Sequence, residues 1–495
     1  MGKIKDMIKS WLDINEAPPR GYTIFENKDF KTMCIINRIW LRGDAHELKE
    51  LYSQLDDSQN TFWGSVATAG LEIKKSHSGL PQLIINKLTD IVVSDYNGIE
   101  CDNTVLLEYW NNVVKENNFD DLLECIVGDT IGIGDGALKY SFDKDLSEYP
   151  ILEWYSGDKV EFIYKRGKLI EIDFINIYDC NGKTYNLVEK RGYGYIIYEL
   201  YDGDKIIPSN SLEETKKLKN ITFNNKIMLA TQIMVDKSKR FKGRGSSKLE
   251  GKHDAFDSLD EIISQWIEAI RNGRSKTYIP ECLCPKDPNT GVILKPNSFD
   301  NKFIAGGNDL NEDSKNTIQT IQPAIPTENY LESYITYLGL CMQGLISPST
   351  LGIDTKKIVD SNASYERQME KTTMFTRSDI IKALNIFIPK VINTTWAFTK
   401  ILAGEVIPNE EDVNPKFSEF NSPSFDSQIE TMAKARTGGV VSTETMVDEL
   451  YGDSKPEEWK KEEVLRIKNE QGITGMEEPS VNQDGFNLED NNLDE

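Results

Sequence analysis

Histidine is scarce in this chain: 495 residues contain three, His46, His77 and His253. The seven cysteines (Cys34, Cys101, Cys125, Cys180, Cys282, Cys284 and Cys341) follow no framework spacing. Scattered thiols in so long a chain point to reduced cysteine in a cytosolic setting, not to a disulfide scaffold. Cys282 and Cys284 flank Leu283, yet no histidine is near them in sequence. A structural zinc site needs four ligands at recognisable spacing, so the pair reads as two ordinary thiols. No run of about 18 apolar residues occurs, which argues against a membrane-spanning helix. The nearest approach, "IKALNIFIPKVINTTWAFTKILAG", is interrupted by Lys382, Lys390 and Lys400. The first residues carry lysine but no apolar core of signal-peptide length, so export by that route is not expected. Ile4, Met7, Ile8, Trp11 and Leu12 share a helical face beside Lys3, Lys5 and Lys9, which reads as a terminal helix docked on protein rather than on lipid.

Signatures of catalysis are also missing. "GIGDGALK" spaces Gly132, Gly134 and Gly136 at alternate positions, whereas a dinucleotide loop needs G-x-G-x-x-G between a strand and a helix. A turn from helix into sheet fits better. "KGRGSSK" lacks the G-x-x-x-x-G-K-[ST] of a phosphate loop. His77 lies between Ser76 and Ser78 without a nucleophile elbow, and acids are too numerous for one acid–base couple to stand out. No cofactor is expected.

Positive charge is in deficit, with 57 basic against 80 acidic side chains and a net charge of −23. Against that background "DKSKRFKGRGSSKLEGK" is exceptional, since Lys237 to Lys252 holds seven bases in sixteen residues. A tight DNA binder would show a broad basic face, because phosphate contacts dominate affinity. One basic stretch does not meet that standard.

Along the chain, residues 28–146 read mainly as helices, with Asp44 as an N-cap and Glu47 three residues on. From about 149 to 235, turn signals at Ser156-Gly157, Arg166-Gly167, Asn181-Gly182 and Asp202-Gly203 separate runs rich in Ile, Val, Tyr and Phe. These predict an antiparallel sheet. A strong helix follows, with Phe256, Leu259, Ile263, Trp266, Ile267 and Ile270 on its apolar face. Acids stand at its start, and Arg271, Arg274 and a capping Gly273 at its end. Residues 275–326 are rich in proline, a second helix covers "TENYLESYITYLGLCMQGLI", and a loop precedes a long helix kinked near Pro389. The last twenty residues hold seven acids and no base, which predicts a tail without its own core.

Taken in order, "NRIWLRGDAHELKELY", "SHSGLPQLIINKLTDIVV", "GDGALKYSFD", "YPILEWYSGDKVEFIYKRGKL", "GRGSSKLEGKHDAFDSLDEIISQW", "YIPECLCPKDPNTG" and "QGLISPSTLGID" resemble the portal proteins of long-tailed bacteriophages of Gram-positive hosts, over residues 35 to about 400. The resemblance implies a mainly helical α+β portal fold assembled as a ring, usually of twelve. Its parts would be a wing (1–248, with a basic junction at 237–248), a first stem helix (249–274), a clip (275–326), a second stem helix (327–345), a tunnel loop (346–363), a long wing helix (364–404), a crown (405–472) and the acidic tail (473–495). It also implies a virion protein at one capsid vertex, assembled in the host cytoplasm. The expected partners are major capsid and scaffolding proteins, the terminase large subunit, head–tail connector proteins and double-stranded DNA in transit.

The acid excess suits a conduit. Strong phosphate contacts would hold DNA that must slide, whereas an acidic wall repels phosphates over a Debye length of about 8 Å. Lys356 and Lys357 in the tunnel loop are the candidates for transient phosphate contact. Lys237, Lys239, Arg240, Lys242 and Arg244 are candidates for contact with a neighbouring subunit or, less favourably, DNA. The rivals are a nucleotide- or sugar-modifying enzyme using the "GIGDGALK" turn, and another phage structural protein such as a scaffold or minor capsid component.

Overall fold

The computed structural model describes residues 28–55, 60–66, 73–180, 182–280, 284, 286–292, 303–306, 319–353, 363–418, 425–451 and 456–470. The chain divides into two compact units, Met1–Ser418 and Glu419–Glu495. The N-terminal apolar face at Ile4–Leu12, the acidic tail, and both Lys356 and Lys357 lie outside the described residues.

Five helices open the larger unit: α1 (Phe30–Arg42), α2 (Ala45–Gln54), α3 (Leu80–Ser94), α4 (Thr104–Asn117) and α5 (Phe119–Ile133). Their starts are written locally. Asp29, Asp44 and Asn103 each turn a side-chain oxygen onto a free backbone N–H of the first turn, as an N-cap should. Strand β1 (Tyr96–Glu100) lies between α3 and α4. After α5 the chain passes through Gly134, at φ 129°, into strand β2 (Asp135–Ser141). The expected helix-to-sheet turn is therefore present.

Strands β3 (Ile151–Ser156), β4 (Val160–Lys165), β5 (Lys168–Cys180), β6 (Lys183–Gly192), β7 (Tyr195–Asp202), β8 (Lys205–Ile207), β9 (Ile221–Thr222) and β10 (Ala230–Met234) follow. Strands β4 to β8 form an antiparallel meander, as the turn signals predict. Its β4–β5 hairpin turns at Arg166 and Gly167, both with positive φ. Strand β2 lies between β10 and β3 in a separate three-stranded sheet, which lies against α5. The short pair β11 (Asp236–Lys237) and β12 (Gly245–Ser246) closes the basic stretch into a loop.

Helix α6 (His253–Asn272) comes next, followed by strands β13 (Lys276–Pro280), β14 (Phe303–Gly306) and β15 (Gln319–Ile321), which form a small sheet in the order β14-β13-β15. Helices α7 (Thr327–Met342) and α8 (Ala363–Leu402) and strand β16 (Asn414–Phe417) complete the unit. One large core runs through it, with Trp40, Trp110, Phe119, Phe256, Leu384 and Phe387 among its buried members. In the second unit, α9 (Phe425–Thr437), α10 (Thr443–Tyr451) and α11 (Glu457–Glu470) pack through buried Val447 and Val464 and a Tyr451–Trp459 edge contact at 4.9 Å.

Several expectations need correction. The helix expected from 249 begins at His253, because Ser247 Oγ accepts the Leu249 N–H and holds a turn there. Gly273 does follow that helix, but at φ −71° it is not a left-handed cap. A Cβ on it would stand 2.3 Å from Ile325 Cδ1, so close approach, not φ, requires glycine. Within residues 405–418, β16 pairs antiparallel with β1, and the compact unit ends at Ser418. Helix α8 continues as one helix of 40 residues through Pro389.

Candidate functional site

The region that the sequence singles out is the helix pair α6 and α7 with the basic loop leading into it. The helices run antiparallel. Lys252 Nζ, just before α6, donates to the Leu340 carbonyl near the end of α7 at 2.9 Å. Farther along, the Trp266 ring stacks on Tyr330 with centroids 6.1 Å apart and planes 6° from parallel. Gly273 then meets Ile325, and the β13–β15 sheet bridges the far ends. A twenty-residue helix such as α6 spans about 30 Å.

Burial along α6 is graded. Phe256 and Leu259 are buried in the main core, whereas Ile263, Trp266 and Ile267 are only partly covered. Ile270 is 49% exposed, and Leu331 and Leu340 on α7 are 46% and 43% exposed. The apolar face read from the sequence is thus covered at its base and bare toward the small sheet.

The base of α6 is clamped by a constellation that sequence reading assigned to the helix dipole. Asp257 accepts the N–H groups of Phe62 and Trp63 at 2.7 and 3.1 Å. Asp260, with a side chain 0% exposed, accepts from Trp63 Nε1 at 3.1 Å and Ser78 N at 2.8 Å. His77 Nδ1–H donates to the same carboxylate at 2.6 Å. Ser264 Oγ accepts from Ser76 N at 2.9 Å. A signal was available: Asp257 and Asp260 sit among Phe256, Leu259 and Ile263 on the core face, where an acid must be satisfied by specific donors.

His253 is also structural. His253 Nε2–H donates to Asn37 Oδ1 at 2.9 Å, and burial depresses its pKa to about 4, so its ring is neutral at pH 7. Trp40 lies between His77 and His253, with centroids 5.4 and 6.1 Å away. His77 Nε2 is buried with no hydrogen-bond partner among the described residues.

The basic loop divides in two. Lys237, Lys239, Arg240 and Lys242 are exposed, and Arg240 also stacks against Phe241 at 5.5 Å. Arg244 must be withdrawn from the candidates for outside contact. Its Nε and Nη2 donate to the two Asp135 oxygens at 2.9 and 2.7 Å, while Nη1 and Nη2 donate to the Val160 and Gly157 carbonyls. The Phe30 and Phe162 rings lie 3.8 and 4.8 Å from the guanidinium carbon. Asp135 is fully buried, and burial raises its pKa despite the bidentate partner. Lys248 is likewise taken up, by Asp236 at 2.6 Å.

The "GIGDGALK" turn is also closely packed. A Cβ at Gly136 would stand 2.3 Å from the Trp154 ring, and one at Gly134 3.0 Å from the Gly245 carbonyl. Both glycines are thus in close contact with Trp154 and Gly245. Cys284 is buried, and Cys282 lies outside the described residues. Among the described residues no group of three or more His, Cys, Asp or Glu is placed to hold a metal ion, and no helix is long and apolar enough to cross a membrane.

No protein-family model matches the chain. No curated protein matches it either. Among solved structures, a chain described as "Neck of empty GTA particle computed with C6 symmetry" is similar at a TM-score of 0.34 and 10% identity, over 72% of this chain and 86% of that one. A likeness that slight has no bearing on function.

Proposed function

We propose that this chain is the repeating subunit of a portal ring, a non-enzymatic conduit for double-stranded DNA at one vertex of a phage capsid. The supporting observation is the antiparallel pair α6 and α7, fixed at one end by the buried Asp257–Asp260 clamp and capped at the other by a small sheet. Its outer part leaves Ile270 and Leu331 uncovered. An apolar helical face of this kind gains stability when another subunit covers it, and repetition of one such contact about an axis closes a ring.

On this reading the helix pair forms the channel wall and the β13–β15 module is the clip, the docking surface for the terminase large subunit and then for connector proteins. The sheet-bearing helical part is the wing, facing capsid and scaffolding proteins. Lys356 and Lys357 belong to the loop that narrows the channel. Twelve copies are the expected number. The acid excess keeps phosphates from adhering to the wall during transit.

Light scattering together with electron-microscope class averages tests the proposal. The expected result is a ring of about a dozen 56.3 kDa subunits with an axial hole. A compact monomer at all concentrations would sink it.

A further inference from the structure

A groove follows α8 where the helix passes β10 and the β4–β5 hairpin. One part, about 580 Å³, includes Tyr164, Met234, Lys237, Ile386 and Lys390 in its lining. An adjoining hollow of about 670 Å³ shares Tyr164, Met234 and Lys237 and adds Arg166 and Lys242. Three features distinguish this groove.

The first is uncompensated charge. Arg166, Lys237, Lys242 and Lys390 have no carboxylate partner among the described residues, although the chain carries 80 acids to 57 bases. The two acids lining the groove are already paired, Asp236 with Lys248 at 2.6 Å and Asp379 with Lys382 at 3.0 Å. The second is an apolar floor. Ile386 is 61% exposed and Tyr164 37%, though both sit in a concavity over buried Phe387. The third is an unmet donor. Gln232 Oε1 accepts from Tyr164 Oη at 2.8 Å, but the Gln232 Nε2 is buried with no acceptor among the described residues.

We propose that this groove binds an acidic peptide segment of another polypeptide. One bulky apolar side chain of that segment sits against Ile386 and Tyr164, and its carboxylates lie beside Lys237, Lys242, Lys390 and Arg166. Charge complementarity selects an acidic chain, and the concave apolar floor selects a peptide over DNA. A duplex offers a convex phosphate surface that would meet the rim and leave Ile386 unused. An extended peptide alternates its side chains, so it can present carboxylates to the rim and an apolar group to the floor. The inference does not depend on the ring reading, because the groove is built within one subunit.

The test is fluorescence anisotropy on the full-length protein, with a labelled synthetic glutamate-rich twelve-residue peptide carrying a central Phe-Leu pair. Saturable binding that weakens as sodium chloride rises is expected. Lys237→Glu with Lys390→Glu, and separately Ile386→Asp, should each weaken it roughly tenfold or more. Lys49→Glu with Lys115→Glu, exposed lysines away from the groove, should leave it unchanged. Lys237→Gln with Lys390→Gln repeats the test without charge reversal, and thermal melts verify that each variant folds. Any of four results overturns the proposal: no saturable binding, equal binding of a peptide lacking the Phe-Leu pair, tighter binding of a DNA oligonucleotide of equal length, or binding by dissociated subunits that vanishes when copies associate. The last would mean that a second copy is the occupant.

Discussion

His77 Nδ1–H donates to Asp260 Oδ2 at 2.6 Å across 183 positions of sequence, with side chains only 3% and 0% exposed. This bond ties the segment before α3 to the base of α6. Asp260 also holds Trp63 Nε1 and Ser78 N, so one carboxylate serves three elements.

Asp260→Ala would therefore leave three buried donors without an acceptor. Each costs about 1–3 kcal/mol, so a loss of at least about 3 kcal/mol is expected from chemical denaturation. Hydrogen exchange should report the loss at the Ser78 amide before global unfolding. His77→Ala, which leaves the other two donors satisfied, should cost less. Equal losses for the two would remove Asp260 as the hub.

Arg244→Lys should fail to replace arginine even though charge is kept. A lysine cannot make the two-pronged contact to Asp135 while also reaching the Gly157 and Val160 carbonyls. Arg244→Ala strands a buried carboxylate, for which about 3–5 kcal/mol is expected. Denaturation midpoints measure both. Near-native stability of Arg244→Lys would show that the pair matters through charge alone.

Asp173 on β5 sets a pH dependence. Burial is the main cause that raises its pKa to about 7, helped by Glu171 on its own strand and Glu161 across on β4, and opposed by Lys190 on β6. Lys190 is held by Glu199 on β7 at 2.8 Å, and the Tyr195 hydroxyl donates to Glu171. In the unfolded chain an aspartate titrates near about 4. Between those values the folded protein binds the extra proton, so this group's stabilisation is complete below about pH 4 and is lost as pH rises toward 7. Asp173→Asn should flatten that slope, leaving stability near pH 4 little changed and raising it above pH 7 by up to about 4 kcal/mol. Urea melts across pH check it; an unchanged slope counts against the assignment.

On the proposed portal reading, in which these side chains touch phosphate in passage, Lys356→Ala with Lys357→Ala should leave assembly mass unaltered while changing DNA packaging or retention. Particle DNA content and leakage measure it. Unaltered packaging and retention would remove both lysines from that role.

Much of the local structure was readable because it is encoded at short range. Asp44 caps α2, Gly134 turns α5 into β2, and Arg166-Gly167 closes a hairpin, since each depends on backbone conformations that only neighbouring residues constrain. The apolar spacing of α6 likewise gave its face, because helical periodicity is a property of the segment. Partners distant in sequence were another matter. Nothing around Arg244 announced Asp135, 109 positions away, so a basic run looked uniformly exposed when one of its members is a buried structural post. Gly273 resembled a left-handed cap because Ile325, whose approach demands a missing Cβ, comes from beyond the small sheet. Asp257 and Asp260 resembled dipole partners until Phe62, Trp63, His77 and Ser78 folded onto them. Sequence by itself determined the helices, hairpins, charge deficit and absence of catalytic motifs, all of which follow from composition and short-range geometry. Only tertiary structure decided which charges are buried and paired and which remain on the rim of the α8 groove, because burial and pairing depend on what the rest of the chain brings alongside.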